Sequence, residues 1–166
     1  MYQLKTTYKK LLADTITPVS VYLKVRDKYP NSLLLESSDY HANDNSFSYI
    51  CCNPIASIKI QNEVITEVFP DGSKKTTEIT PEVNVPHQFI NNGLFGYIAY
   101  DGVRYFEDLE IKKRNGDLKL PDIYYAVYQN IIAINHFNNE AYIFDHSYDT
   151  DSKIAEIEQL IKVKNF

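Results

Sequence analysis

Val64-Ile65-Thr66-Glu67-Val68-Phe69, Pro70-Asp71-Gly72-Ser73 and Lys74-Lys75-Thr76-Thr77-Glu78-Ile79 follow one another without a break, and their reading decides the fold class. Pro presets φ at the first corner and Gly supplies a positive φ at the second, so the two strand-like runs, 64–69 and 75–79, must return on each other as an antiparallel hairpin. Further short strand-like runs lie on both sides: 32–36, 46–51 and 56–60 around Pro54, 94–100, 123–128, 131–137 and 140–144, the last two joined by Asn138-Asn139. Thr17-Pro18 opens a helix over 17–29 with a capping side chain and proline at the first helical position, and Pro30 stops it. Val19, Tyr22, Leu23 and Arg26 set its expected face. Residues 102–108 make one or two helical turns. A final helix over 151–163 carries Ile154, Ile157, Leu160 and Ile161 at helical spacing behind an acidic first turn. About nine strands with two or three flanking helices predict an α+β fold of mostly antiparallel, sandwich-like sheets. No linker, repeat or low-complexity stretch divides the chain, so residues 1–166 read as one domain.

The composition excludes several function classes. Seventeen basic residues against 22 acidic ones leave a net charge of −5, so neither a nucleic acid nor an anionic membrane is an expected partner. No apolar run approaches membrane-spanning length, and the first ten residues hold three lysines in place of a signal-peptide core. The only cysteines, Cys51 and Cys52, are neighbours; inside a strand they point to opposite faces and are expected as reduced thiols. A cytoplasmic protein fits these features. Phosphate-loop, dinucleotide and nucleophile-elbow motifs are missing. His41, His87, His136 and His146 are scattered without ligand spacing and read as surface or strand-edge residues. Residues 39–45 lack the glycine and glutamate of a calcium loop, and Lys112-Lys113-Arg114 reads as a solvated loop.

Two segments rise above this background. In Leu33-Leu34-Leu35-Glu36-Ser37-Ser38-Asp39 an apolar strand ends abruptly in a carboxylate and a hydroxyl. Either the pair opens a turn, or Glu36 meets a ligand's ammonium and Ser37 its polar end. In residues 93–107, Gly96 inside a strand implies that another backbone or a ligand comes close. Tyr97, Tyr100, Tyr105 and Phe106 form an aromatic surface, and Arg104 and Glu107 stand at pairing distance on one helical face. This is either a core strand with a solvent-paired turn, or a contact surface for another domain or chain.

Through Asp14-x-x-Thr17-Pro18-Val19, Leu34-Leu35-Glu36-Ser37, Ser46-Phe47-Ser48-Tyr49-Ile50 and Gly93-Leu94-Phe95-Gly96-Tyr97-Ile98-Ala99-Tyr100-Asp101, the chain resembles the N-terminal domain of anthranilate synthase component I. The Gly-x-x-Gly-Tyr element is shared with aminodeoxychorismate synthases, whereas Leu-Leu-Glu-Ser favours the anthranilate branch. The resemblance implies an enzyme that converts chorismate and ammonia to anthranilate and pyruvate. It implies a glutamine amidotransferase subunit as partner and L-tryptophan as allosteric effector. By the same likeness Glu36, Ser37, Leu35 and Pro18 contact tryptophan. Tyr97, Tyr100, Arg104, Tyr105 and Phe106 are expected to face the enzyme's own C-terminal chorismate-binding domain or a subunit. No cofactor is expected in this chain; Mg²⁺ belongs to the catalytic domain, which is expected to follow these residues, and the chain alone is expected to be inactive. A stand-alone amino-acid-binding or interaction module is the reading from another class.

Overall fold

The computed structural model describes residues 2–36, 46–78, 93–109, 111 and 120–163. Its elements in chain order are β1 (Lys5–Leu12), α1 (Pro18–Lys28), β2 (Leu33–Glu36), β3 (Phe47–Gln61), β4 (Val64–Val68), β5 (Lys74–Glu78), β6 (Phe95–Ile98), a 3-10 helix (Tyr100–Tyr105), β7 (Ile123–Asn135), β8 (Glu140–Ser147) and α2 (Ile154–Lys162). The fold class is α+β, as the hairpin and the helical patterns imply. Every strand pairing with an assigned register is antiparallel. The chain forms two compact units: one holds residues 1–54 and 128–166, the other 55–127.

In the first unit the strands run in the order β1-β8-β7-β3, and β2 also pairs with β3. Val21, Val25 and Tyr29 of the α1 region and Ile157 and Ile161 of α2 cover one sheet face made of Ile50, Cys52, Ile132, Ile134, Ala141 and Ile143. Each fully buried Val or Ile contributes about 1.5–3 kcal/mol. The face of α1 differs from the expected one: Val19 and Leu23 are 48% and 42% exposed, while Val21 and Val25 are buried. Apolar residues go almost all round this helix, so spacing alone selects no stripe; the β-branched pair at i and i+4, with Tyr29 one turn on, wins. The cap at Thr17 forms as read, with Ser20 N–H donating to Thr17 Oγ1 at 3.2 Å, and the Ser20 side chain completes a capping box.

In the second unit the order is β7-β3-β4-β5, with β6 also pairing β7. The hairpin is present: Gly72 sits at φ 80°, and Ser73 N–H donates to the Asp71 carboxylate at 2.9 Å. Ile58, Ile60, Ile65 and Ile123 form a small core with Tyr105 and Tyr125 against it.

Eight strands are observed among the described residues where about nine were expected, for three physical reasons. The runs on either side of Pro54 are one strand, with Asn53 taking the left-handed break at φ 60°. The runs on either side of Gln129-Asn130 are also one strand, because those buried amides find side-chain partners inside the unit, although Asn130 Oδ1 has none. Asn53 Nδ2 donates to Gln129 Oε1 at 2.6 Å, and Asn130 Nδ2 donates to Asp145 Oδ2 at 2.8 Å. β1 carries no apolar alternation; it is an exposed edge strand held by its full-length register with β8, Lys5↔Ser147 to Leu12↔Glu140.

Candidate functional site

The first unit's two ends differ. At one end the chain leaves α1 and reverses over residues 29–32. Asn31 is left-handed at φ 62°, Ser32 Oγ donates to Tyr29 O at 2.6 Å, and Tyr128 Oη donates to Asn31 O at 3.1 Å. Beside this turn, Glu156 of α2 accepts from Tyr29 Oη at 2.7 Å and pairs with Lys28 at 2.6 Å. Those two bonds, Lys28 first, hold the Glu156 carboxyl down at about 2, whereas burial and the carboxylate drive the Tyr29 phenol well up.

The reversal sends β2 back along α1. Eleven helical residues rise roughly 16 Å, and the four of β2 extend about 13 Å. Pro18, at the start of α1, is half-buried, and Glu36, at the end of β2, is exposed. Glu36 stands across from Ser48 in the β2–β3 register, and Leu34 from Ile50, so Glu36 and Ser48 share the face that carries the core. Leu35 stands across from Tyr49 on the other face. Ser37 lies outside the described residues. Glu36 makes no ion pair among the described residues.

A histidine read as a surface or strand-edge residue lies against Ser48. Ser48 is fully buried, and its Oγ lies 2.7 Å from His136 Nε2. The His136 backbone N–H donates to Ser46 O at 3.0 Å. His136 opens the β7–β8 turn, which is locked by Asn135 Oδ1 accepting from Phe137 N–H at 2.8 Å, and Ala13 N–H ties the same turn to the approach of α1 through Asn139 O at 2.7 Å. Strand register sets Glu36 across from Ser48, and the Ser48 hydroxyl brings in His136; no spacing in the sequence does so.

The second conspicuous segment lies in the other unit. A Cβ on Gly96 would stand 1.9 Å from Tyr124 O and 2.7 Å from Tyr125 Cα, so the close approach expected there is that of β7's backbone. Tyr97 is half-buried, with its ring 6.1 Å from Tyr124; burial pushes its phenol up. The expected Arg104–Glu107 pair does not form. Arg104 instead pairs with Asp122 at 2.8 Å and lies over the Tyr105 ring at 5.0 Å, while Tyr105 Oη donates to the same carboxylate at 3.0 Å. The 3-10 helix ends at Tyr105, which leaves Glu107 outside it. Tyr100 and Phe106 are 86% and 62% exposed. Of the five residues read as a contact surface, two face solvent and Arg104 and Tyr105 are tied inward.

Cys51 and Cys52 are free and buried, and burial first pushes each thiol up to about 12, so neither is a thiolate nucleophile. Among the described residues no three His, Cys, Asp or Glu side chains gather to hold a metal. No described helix is long and apolar enough to cross a membrane.

Residues 6–165 match the family described as chorismate binding enzyme. The anthranilate synthase component 1 of Lactococcus lactis subsp. lactis is 28% identical over an alignment of 156 positions that covers 87% of this chain and 33% of that protein. The aminodeoxychorismate synthase component 1 of Bacillus subtilis is 25% identical over 170-odd residues, 177 in all, covering 96% of this chain and 37% of that protein. A crystal structure of anthranilate synthase component I from Streptococcus pneumoniae aligns at 20% identity and a TM-score of 0.45, over 92% of this chain and 35% of that one. The chain spans about a third of the length of these curated relatives.

Proposed function

This chain belongs to the chorismate binding enzyme family, and from that premise we propose that it is the N-terminal regulatory region of an anthranilate synthase component I. The full protein would convert chorismate and ammonia to anthranilate and pyruvate in the cytoplasm, with a glutamine amidotransferase subunit supplying the ammonia. Chorismate and Mg²⁺ would be held by a catalytic domain that follows these residues, and these 166 residues alone would form no anthranilate. Their own work would be allosteric: L-tryptophan binds one state of the protein better and shifts the population away from the active one. Tyr97, Tyr100 and Phe106 would face the catalytic domain, with Arg104 and Tyr105 bracing the 3-10 helix beneath them.

One observation carries the regulatory part of this reading. Glu36 closes β2 as an exposed carboxylate that makes no ion pair among the described residues. A carboxylate in that setting suits the ammonium of an amino acid, and Ser37 follows it directly in the chain.

The test uses the full-length protein its gene encodes, assayed with chorismate, Mg²⁺ and ammonia by anthranilate fluorescence. L-Tryptophan should inhibit the parent. Ser37→Phe should relieve that inhibition with little loss of turnover, because it fills the effector site and leaves the chemistry alone. Equal inhibition of variant and parent would overturn the site. The likeness to aminodeoxychorismate synthase component 1 supports a second reading, in which the product is aminodeoxychorismate and tryptophan has no effect; product identity decides between them.

A further inference from the structure

We infer that Asp145 makes the start of α2 a built-in weak joint, and that this joint gives way when the protein changes state under its effector, an inference that rests on the tryptophan-effector reading above. Asp145 is fully buried. It follows Ala141 and Ile143 along the core face of β8, the face that α2 covers. A carboxylate there gives up its hydration, and no lysine or arginine pairs with it among the described residues. Hydrogen bonds are its compensation, and they all fall on one oxygen. Asn130 Nδ2 at 2.8 Å, the Lys153 N–H at 2.8 Å and Gln129 Nε2 at 3.5 Å donate to Oδ2. The other oxygen, Oδ1, has no partner, and neither has Oδ1 of Asn130, which stands directly across from Asp145 in the β7–β8 register.

Two bare acceptors on paired side chains, one of them on an ion without a counter-ion, are a cost that a single change could remove. In Asp145→Asn the amide oxygen can keep the bonds of Oδ2, and the new NH₂ group brings a donor to a pair that lacks one. The change forfeits the carboxylate's attraction to the positive end of α2. It also ends the desolvation of an unpaired ion, and that is the larger effect. Stability alone therefore does not account for a carboxylate at 145, whereas its position does. It fastens α2, whose own N-cap residue, Lys153, supplies no side-chain cap. α2 in turn holds α1: Glu156 bonds Tyr29 and Lys28, and Lys24 donates to Ile161 O at 3.0 Å. α1 begins at Pro18, one of the residues assigned to tryptophan by resemblance. A helix fastened through one overloaded oxygen opens more readily than the strands beside it, and these bonds pass its movement to α1. An effector that binds one position of α1 better than another then draws on the joint.

The experiment uses the full-length protein its gene encodes. Asp145→Asn should unfold at a higher urea concentration than the parent, and its amides at 157–162 should exchange with deuterium about 10-fold more slowly. Turnover without tryptophan should stay at the parent's level, while the L-tryptophan concentration for half-inhibition should move by about 3-fold or more. In the unmutated protein, tryptophan should change exchange in α2 and leave β8 unmoved, a readout that needs no variant. A urea midpoint at or below the parent's overturns the inference, because the charge is then no cost. A raised midpoint with an unmoved half-inhibition concentration also overturns it, because the joint is then weak but unused. So does an inhibited parent whose α2 exchange ignores tryptophan. Each of these leaves the effector reading standing wherever tryptophan inhibits the parent. A parent that tryptophan does not inhibit overturns the effector reading and this inference with it.

Discussion

The two stretches that stand out in the sequence use their side chains in opposite ways. Residues 93–107 commit part of theirs to internal contacts: Gly96 admits the backbone of Tyr124, and Arg104 and Tyr105 converge on Asp122. Residues 33–36 bury Leu34 against the core and then end on Glu36, which has no ion pair among the described residues. A conspicuous motif can thus be conspicuous for what it builds or for what it leaves open, and stability separates the two. The largest effect should come from Gly96→Ala. A methyl 1.9 Å from a backbone carbonyl cannot be absorbed by a side-chain rotation, so β6 must move off β7, at a cost of about 3–4 kcal/mol. A urea midpoint unchanged from the parent would mean that β6 does not lie where this comparison needs it.

Arg104→Met should cost less, about 1–3 kcal/mol, because it strands the Asp122 carboxylate in a largely buried pair; the two side chains are only 21% and 15% exposed. Adding Asp122→Asn should return part of the loss, since the second change removes the uncompensated charge. If Arg104→Met instead leaves stability alone and changes association with another domain or subunit, the segment belongs with Glu36 on the open side of the comparison.

Much of this contrast was legible from residue types and part of it was not. The hairpin, the Thr17 cap and the buried stripe of α2 are local, and local patterns carry them. The two long strands were not legible, because Pro54 and Gln129-Asn130 are breakers by type. They are tolerated here through a left-handed Asn53 and through amide hydrogen bonds to residues far along the chain. β1 escaped for the reverse reason: an edge strand exposed on both faces has no alternation to read. Glu36 and Ser37 stood out as the rim of an apolar strand. His136 could not stand out, because its meaning lies in a bond to Ser48, 88 residues away in sequence. Asp145 is similar: fully buried, it accepts from Lys153 N–H at the start of α2 at 2.8 Å, a helix cap supplied from outside the helix.

The smallest effect belongs to the end of the first unit where α1 turns into β2. Glu156 is held down at about 2 from an ordinary 4.5, first by the bond from Lys28 and then by that from Tyr29. A carboxyl with a depressed folded value binds fewer protons folded than unfolded, so its stabilisation is complete above about pH 4.5 and fades as the pH falls toward 2. The side chain is 37% exposed, and solvent screening limits the effect to about 1 kcal/mol or less. Chemical denaturation of Glu156→Gln across that window should give a flatter loss of stability than the parent, most visibly at low salt. Parallel curves for parent and Glu156→Gln would remove this end of the unit from the comparison.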